Sequence, residues 1–109
     1  MSLLQNPNPI KTAIICYDLK NAQGNDNQKV KHALLTQLNN TRATLQNNLF
    51  SIDNRELPDT TLLRSIKDSN ISTKQIAEEV ADVIRRQGAE VGKIYVAFIS
   101  ISDHYLINE

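Results

Sequence analysis

Asp18 is the side chain with the clearest chemical potential in this sequence. It closes an apolar run, follows Tyr17 directly, and is succeeded by the polar stretch 20–25, KNAQGN, which must be a loop. A carboxylate at a strand end, facing a loop that leads into a helix, can hold a hard divalent cation such as Mg2+. Lys20, Gly24 and the first helix amides could then meet a phosphate. The plainer reading is that Asp often ends strands and bonds to loop amides. A lone carboxylate is a poor Mg2+ site, because that ion usually takes one or two carboxylates together with phosphate oxygens and water. Two copies of Asp18 facing each other across a two-fold axis would change this. Their mutual repulsion would be relieved by a shared cation, which could orient water against a phosphodiester.

The remaining polar candidates are weaker. Lys20, Lys29, Lys31 and Arg42 could form a basic rim near the first helix, and Arg64 and Lys67 could touch a phosphate backbone. Scattered basic residues more commonly form a solvated face. His32 and His104 stand alone in the sequence, with no positioned partner for acid–base work. Cys16 sits within apolar residues and reads as a small core side chain. Asp53, Glu56 and Asp59 cluster, but their spacing matches no metal loop.

Charge and length limit the classes open to the chain. Twelve Lys+Arg balance twelve Asp+Glu, so the formal net charge is zero. That excludes a strongly basic nucleic-acid coat while leaving a local patch open. One cysteine cannot form an internal disulfide, and no Cys/His cluster offers a zinc site. No apolar run approaches the roughly 20 residues of a membrane span, and the start lacks a signal-peptide pattern. The expectation is a soluble cytoplasmic protein. At 109 residues it has room for one core: a loose leader over 1–9, a domain over 10–102 and a tail over 103–109.

The elements that must position Asp18 follow from patterning. Residues 12–19 are β-branched and apolar on both parities, as in a central strand covered on both faces. A helix over 26–40 carries Val30, Leu34 and Leu38 on one stripe. Residues 43–52 read as an edge strand, 53–59 as a hairpin connection and 60–67 as a third strand. Ser72 and Gln75 form a capping box, with Ile71 and Ile76 as a hydrophobic staple, opening a helix that ends at Gly88. Residues 93–102 form a last strand, apolar on both parities. The order βαββαβ predicts an α+β, ferredoxin-like sandwich: a four-stranded antiparallel sheet with two helices on one face.

Two helices cover only one face of such a sheet. Ala13, Ile15, Tyr17 and Leu19 oppose Ile14 and Cys16, while Ile94, Val96 and Phe98 oppose Tyr95, Ala97, Ile99 and Ile101. A bare apolar face predicts association, most simply a homodimer that stacks the open faces. The apolar tail residues Tyr105, Leu106 and Ile107 could then pair along the partner's sheet edge; the plainer reading is that the tail folds back over its own sheet.

Residues 13–20, AIICYDLK, resemble the opening of the small ferredoxin-like proteins that include the CRISPR-associated adaptation nuclease, virulence-associated protein D and the SinR-like group. The layout agrees over about residues 11–102, through LPDTTL at 57–62, STKQI at 72–76 and the closing apolar strand. The Asn-rich stretch between the first helix and the third strand departs from that group. The resemblance implies dimers, and it makes Asp18 the metal ligand of a nuclease. Some members are ribonucleases or toxins, and others are structural adaptors. The leading expectation is therefore a homodimeric, Mg2+-dependent nuclease acting on RNA or DNA, with Asp18 as catalytic ligand and Lys20, Arg42, Arg64 and Lys67 on the nucleic acid. The alternatives are a non-catalytic dimeric adaptor for nucleic acid or a partner protein, and a regulatory module binding a small effector at the dimer interface.

Overall fold

The computed structural model describes residues 11–45, 50–67, 70–100 and 105–107. The expected leader over 1–9, and most of the tail over 103–109, lie outside the described residues.

The first strand, β1 (Lys11–Lys20), alternates as the sequence requires: Ala13, Ile15 and Tyr17 are buried beneath the helices, whereas Asp18 is exposed. The polar loop that follows turns through left-handed Asn21 (φ 49°) and Gly24 (φ 58°) into α1 (Asp26–Gln37). Asn39 (φ 55°) stops that helix. Its N–H donates to the Thr36 carbonyl (3.4 Å) and that of Asn40 to the Leu35 carbonyl (2.9 Å), the paired bonds of a Schellman cap with Asn in place of Gly.

The chain next forms a hairpin, β2 (Arg42–Leu45) and β3 (Phe50–Asp53), followed by a 3-10 turn, Asn54–Glu56. Strand β4 (Thr61–Ile66) then leads to α2 (Thr73–Arg86). The Ser72–Gln75 capping box is present, with both reciprocal bonds, and Ile71 and Ile76 both pack into the main core. Gly88 (φ 81°) ends the helix through a second Schellman cap. Strand β5 (Glu90–Ile99) closes the fold.

The sheet order is β4-β1-β5, antiparallel, with Ile14 opposite both Leu63 and Ala97. The fold is thus α+β, with two helices packed on one face of an antiparallel sheet. Among the described residues that sheet has three strands rather than the expected four, because the segment read as one edge strand is a separate two-stranded hairpin. The reason is local. The Asn-rich centre of 43–52 breaks the run, and the resulting hairpin folds onto the sheet face that the helices leave open.

Two cores result. The larger joins Ala13, Ile15, Tyr17, Leu62 and Ile66 to the buried stripes of both helices. The smaller joins Ala43 and Leu45 of the hairpin to Leu63, with Ile14, Ile52, Leu57 and Ile99 around them. Thr12 Oγ1 donates to the Thr44 carbonyl (3.2 Å), and Ser65 Oγ accepts from the Thr44 N–H (2.6 Å), so the hairpin is tied to the sheet by polar bonds as well.

The Tyr17 N–H donates to the Thr60 carbonyl (3.1 Å), which fixes the phase of the ladder. Residues of one antiparallel pair either exchange both bonds or neither. Odd-numbered residues of β1 therefore bond to β4 and even-numbered ones to β5. The outward backbone groups are those of Thr61, Leu63 and Ser65 on one edge and of Ile94, Val96 and Phe98 on the other.

Candidate functional site

Asp18 is exposed on the sheet face away from the helices, on the same side as Ile14 and Cys16. Lys93 stands opposite it in register, and beyond that pair the register slips by one residue. Gly92 forms the resulting bulge because a Cβ there would come within 2.8 Å of the Asp18 carbonyl oxygen. A Cβ that close to backbone would force the two strands to shift apart, so the bulge fixes where the strand end carrying Asp18 lies.

The hairpin roofs the half of this face around Thr12 and Ile14. The other half is a shallow depression of about 540 Å3 lined by Cys16, Tyr17, Asp18, Thr60, Lys93, Ile94 and Tyr95. Tyr95 is 64% exposed, the most exposed large apolar side chain among the described strand residues. Among the described residues, no group of three or more His, Cys, Asp or Glu side chains lies close enough to hold a metal ion. Among the described residues of one copy Asp18 is the only carboxylate lining the depression, and a cationic lysine stands opposite it in register.

The floor of the depression is tied down by bonds the sequence did not signal. Tyr17 is buried, and its hydroxyl donates to the Asp59 carbonyl (2.9 Å). Burial, and then the Asp59 charge, push its pKa far above the ordinary tyrosine value. Lys31, expected in a solvated basic rim, is instead buried. Its ammonium donates to the carbonyls of Pro58 (2.9 Å) and Thr61 (2.7 Å). Burial lowers its pKa, and Asp59 partly restores it. Both side chains thus pin the loop that precedes β4 against β1 and α1. A lysine three residues before Leu34 on a helix gives no sequence sign that its head group is enclosed, because the enclosing carbonyls come from a segment 27 to 30 residues away.

The four expected nucleic-acid contacts do not gather into one surface. Lys20 is exposed at one end of β1, opposite Glu90 in register. Lys67 follows Ile66, which pairs with Lys11 at the other end of that ten-residue strand, roughly 30 Å away at about 3.3 Å per residue. Arg64 points to the helix side and is paired with Glu79 of α2 (3.1 Å). Arg42 lies on the hairpin, 3.7 Å from Asp53 and hydrogen-bonded to Ser51 Oγ (3.0 Å). Asp53 also takes the Arg55 guanidinium (2.7 Å) and its backbone N–H. Those two bonds from Arg55, with Arg42 adding its charge, hold the Asp53 carboxyl at about 2.

His32 is exposed on α1, and Cys16 is half-buried in the depression. The three described tail residues are exposed, Tyr105 at 89%. No helix among the described residues is long and apolar enough to cross a membrane. Compared with family models, with curated proteins and with solved structures, the chain matches none.

Proposed function

We propose that this chain is a non-catalytic, homodimeric adaptor that joins its copy along β5 and takes a protein partner on the depression beside Asp18. The observation that carries the reading is the outer edge of β5. From Ile94 to Ile99 the strand reads IYVAFI, without charge, proline or bulge, and among the described residues no strand pairs with it. Monomeric proteins blunt such edges with lysines, prolines or bulges. Here those devices stop at Gly92 and Lys93.

Antiparallel self-pairing about Val96 uses the outward groups of Ile94, Val96 and Phe98 from both copies. Lys93 then falls opposite Ile99 of the second copy, so no like charges meet. A continuous six-stranded sheet results, with the Asp18 side chains roughly 14 Å apart across the strands and roughly 20 Å apart along them. They cannot share a cation at that separation. Stacking the open faces does not bring them together either. The hairpin stands between the sheets, and an extra layer sets two sheets roughly 20 Å apart instead of 10 Å.

The dispersal of Lys20, Arg42, Arg64 and Lys67, with zero net charge, favours protein over nucleic acid as the partner, because phosphate affinity comes chiefly from clustered cations. The first-strand-central order and the two helices on one face are in keeping with a ferredoxin-like sandwich whose second strand has become a hairpin beneath the sheet. The resemblance of residues 13–20 to the small ferredoxin-like group supports dimers.

Sedimentation across a concentration series tests the reading. The wild type should pass from monomer to dimer, and Phe98→Pro should remain monomeric. That substitution removes an outward N–H and no ladder bond within the chain. Tyr95→Lys, at an exposed position, should weaken the dimer through like charge near the axis. A wild type that stays monomeric, or two variants that dimerise unchanged, would refute the edge pairing.

Asp18 supports the second reading, a metal-dependent nuclease, because it lies exposed on the side away from the helices. Its test is cleavage of single- and double-stranded RNA and DNA with Mg2+ or Mn2+. The adaptor reading expects no turnover above background in either the wild type or Asp18→Asn. Cleavage that is abolished in Asp18→Asn would establish the nuclease instead.

A further inference from the structure

A three-stranded sheet has two outer edges, and the edge of β4 is as capable of pairing as that of β5 unless something occupies it. Its outward groups belong to Thr61, Leu63 and Ser65. The Thr61 N–H donates to the Pro58 carbonyl (2.9 Å), and the Thr61 carbonyl accepts from Lys31 Nζ (2.7 Å). Leu63 is engaged on both sides by one side chain. Asn54 Nδ2 donates to the Leu63 carbonyl (2.8 Å), and Asn54 Oδ1 accepts from the Leu63 N–H (2.8 Å). The amide plane thereby copies the donor–acceptor pair that a neighbouring strand would present. Asn54 is wholly buried, and its nitrogen also donates to the Asn40 carbonyl, so the side chain cannot swing away without leaving three backbone groups unpaired. Next along the edge it is the side chain of Ser65, not its outward N–H and carbonyl, that is engaged: Oγ bonds to both the N–H and the carbonyl of Thr44, which sets the hairpin against that end of β4.

We propose that Asn54, assisted by Lys31, is a strand surrogate that seals the β4 edge, leaving each copy with one pairing edge so that assembly closes at two. The inference rests on the edge-paired dimer proposed above. A protein with two open edges adds copies without limit, because each added copy presents a fresh edge. With one edge, the two-fold pair consumes everything available. Asn54 therefore determines the size of the assembly without touching the dimer interface.

The experiment compares the wild type with Asn54→Ala by sedimentation over a concentration series, together with hydrogen exchange at the Leu63 amide. The wild type should stop at two copies, with the Leu63 N–H protected although, among the described residues, no strand pairs with it. Asn54→Ala should retain the far-ultraviolet signature of the fold, sediment as species larger than the dimer, and exchange Leu63 at least about tenfold faster, the change for a loss of about 1.4 kcal/mol of local stability. Adding Phe98→Pro to Asn54→Ala should return the species to two copies, now joined through β4. A folded Asn54→Ala that still stops at two would overturn the proposal. So would a wild-type Leu63 amide that exchanges like an open edge, and that second readout holds even if the variant fails to fold. A monomeric wild type whose Asn54→Ala variant dimerises would refute the β5 pairing while leaving the seal intact.

Discussion

Tyr17 and Lys31 show how one enclosed loop gives two titrations of opposite sign. The Tyr17 hydroxyl keeps its proton in the folded chain well beyond the ordinary tyrosine value of 10.0, so above that pH the unfolded chain holds fewer protons than the native one. Stability then falls as pH rises, by up to about 1.4 kcal/mol per pH unit. Lys31 acts the other way, because its folded pKa lies below the ordinary 10.5. The unfolded chain holds more protons in that window, so stability rises with pH until both states are neutral. The two can be separated in Tyr17→Phe, which keeps Lys31. Urea unfolding between pH 9 and 11 should show wild-type stability turning down toward pH 11, where the Lys31 contribution fades, and a flat or rising profile in Tyr17→Phe; parallel profiles would mean that the folded chain does not hold the Tyr17 proton more tightly than the unfolded one. Neither behaviour was legible from residue type. Tyr17 reads as an apolar strand residue and Lys31 as a solvated helix lysine, and only the arrival of the Pro58–Thr61 carbonyls changes both.

At the scale of elements, the sequence was most informative where local chemistry suffices. The Ser72–Gln75 capping box, the Ile71–Ile76 staple and Gly88 specify α2 through contacts at most five residues apart, and the helix is where they place it. The Asn39–Asn40 pair likewise ends α1. The stretch 43–52 was less legible. Its apolar residues fit one broken strand or two short ones equally well, and the choice depends on whether Ala43 and Leu45 bury against a sheet assembled from residues 11–20 and 61–66. Gly92 belongs to this scale as well. Gly92→Ala should force the β1–β5 bulge apart and cost about 1–3 kcal/mol, as overpacking at a close approach does. The loss would appear as a lowered denaturation midpoint and faster amide exchange at residues 90–93. An unchanged midpoint would show that the bulge relaxes without cost.

For the whole molecule, the decisive feature is the asymmetry of the two sheet edges. At one, Asn54 and Lys31 bond outward groups of Leu63 and Thr61, and the other is ten residues of β5 with an uncharged outer half. Backbone pairing through Ile94, Val96 and Phe98 involves no ion pair, so the midpoint of the proposed dimer should change little between low and high salt. An association that weakened steeply with salt would instead indicate electrostatic attachment. Apolar residues on both sides of β1 and β5 correctly signalled that two helices are not enough cover. They did not signal that half the deficit is met within the chain, by a hairpin drawn from its weakest-patterned segment.

Local pattern alone determined that this chain builds an antiparallel α+β core with Asp18 at the open end of its central strand, because strand parity and helix caps act over a few residues. The tertiary structure alone decided which half of the sheet is roofed, which lysine is enclosed and which edge stays open. Those outcomes depend on contacts such as Asn54 with Leu63, Ser65 with Thr44 and Lys31 with Thr61, 9 to 30 residues apart in sequence. They depend also on the hairpin's packing near Ile99, farther still, and no single segment carries the free energy of such contacts.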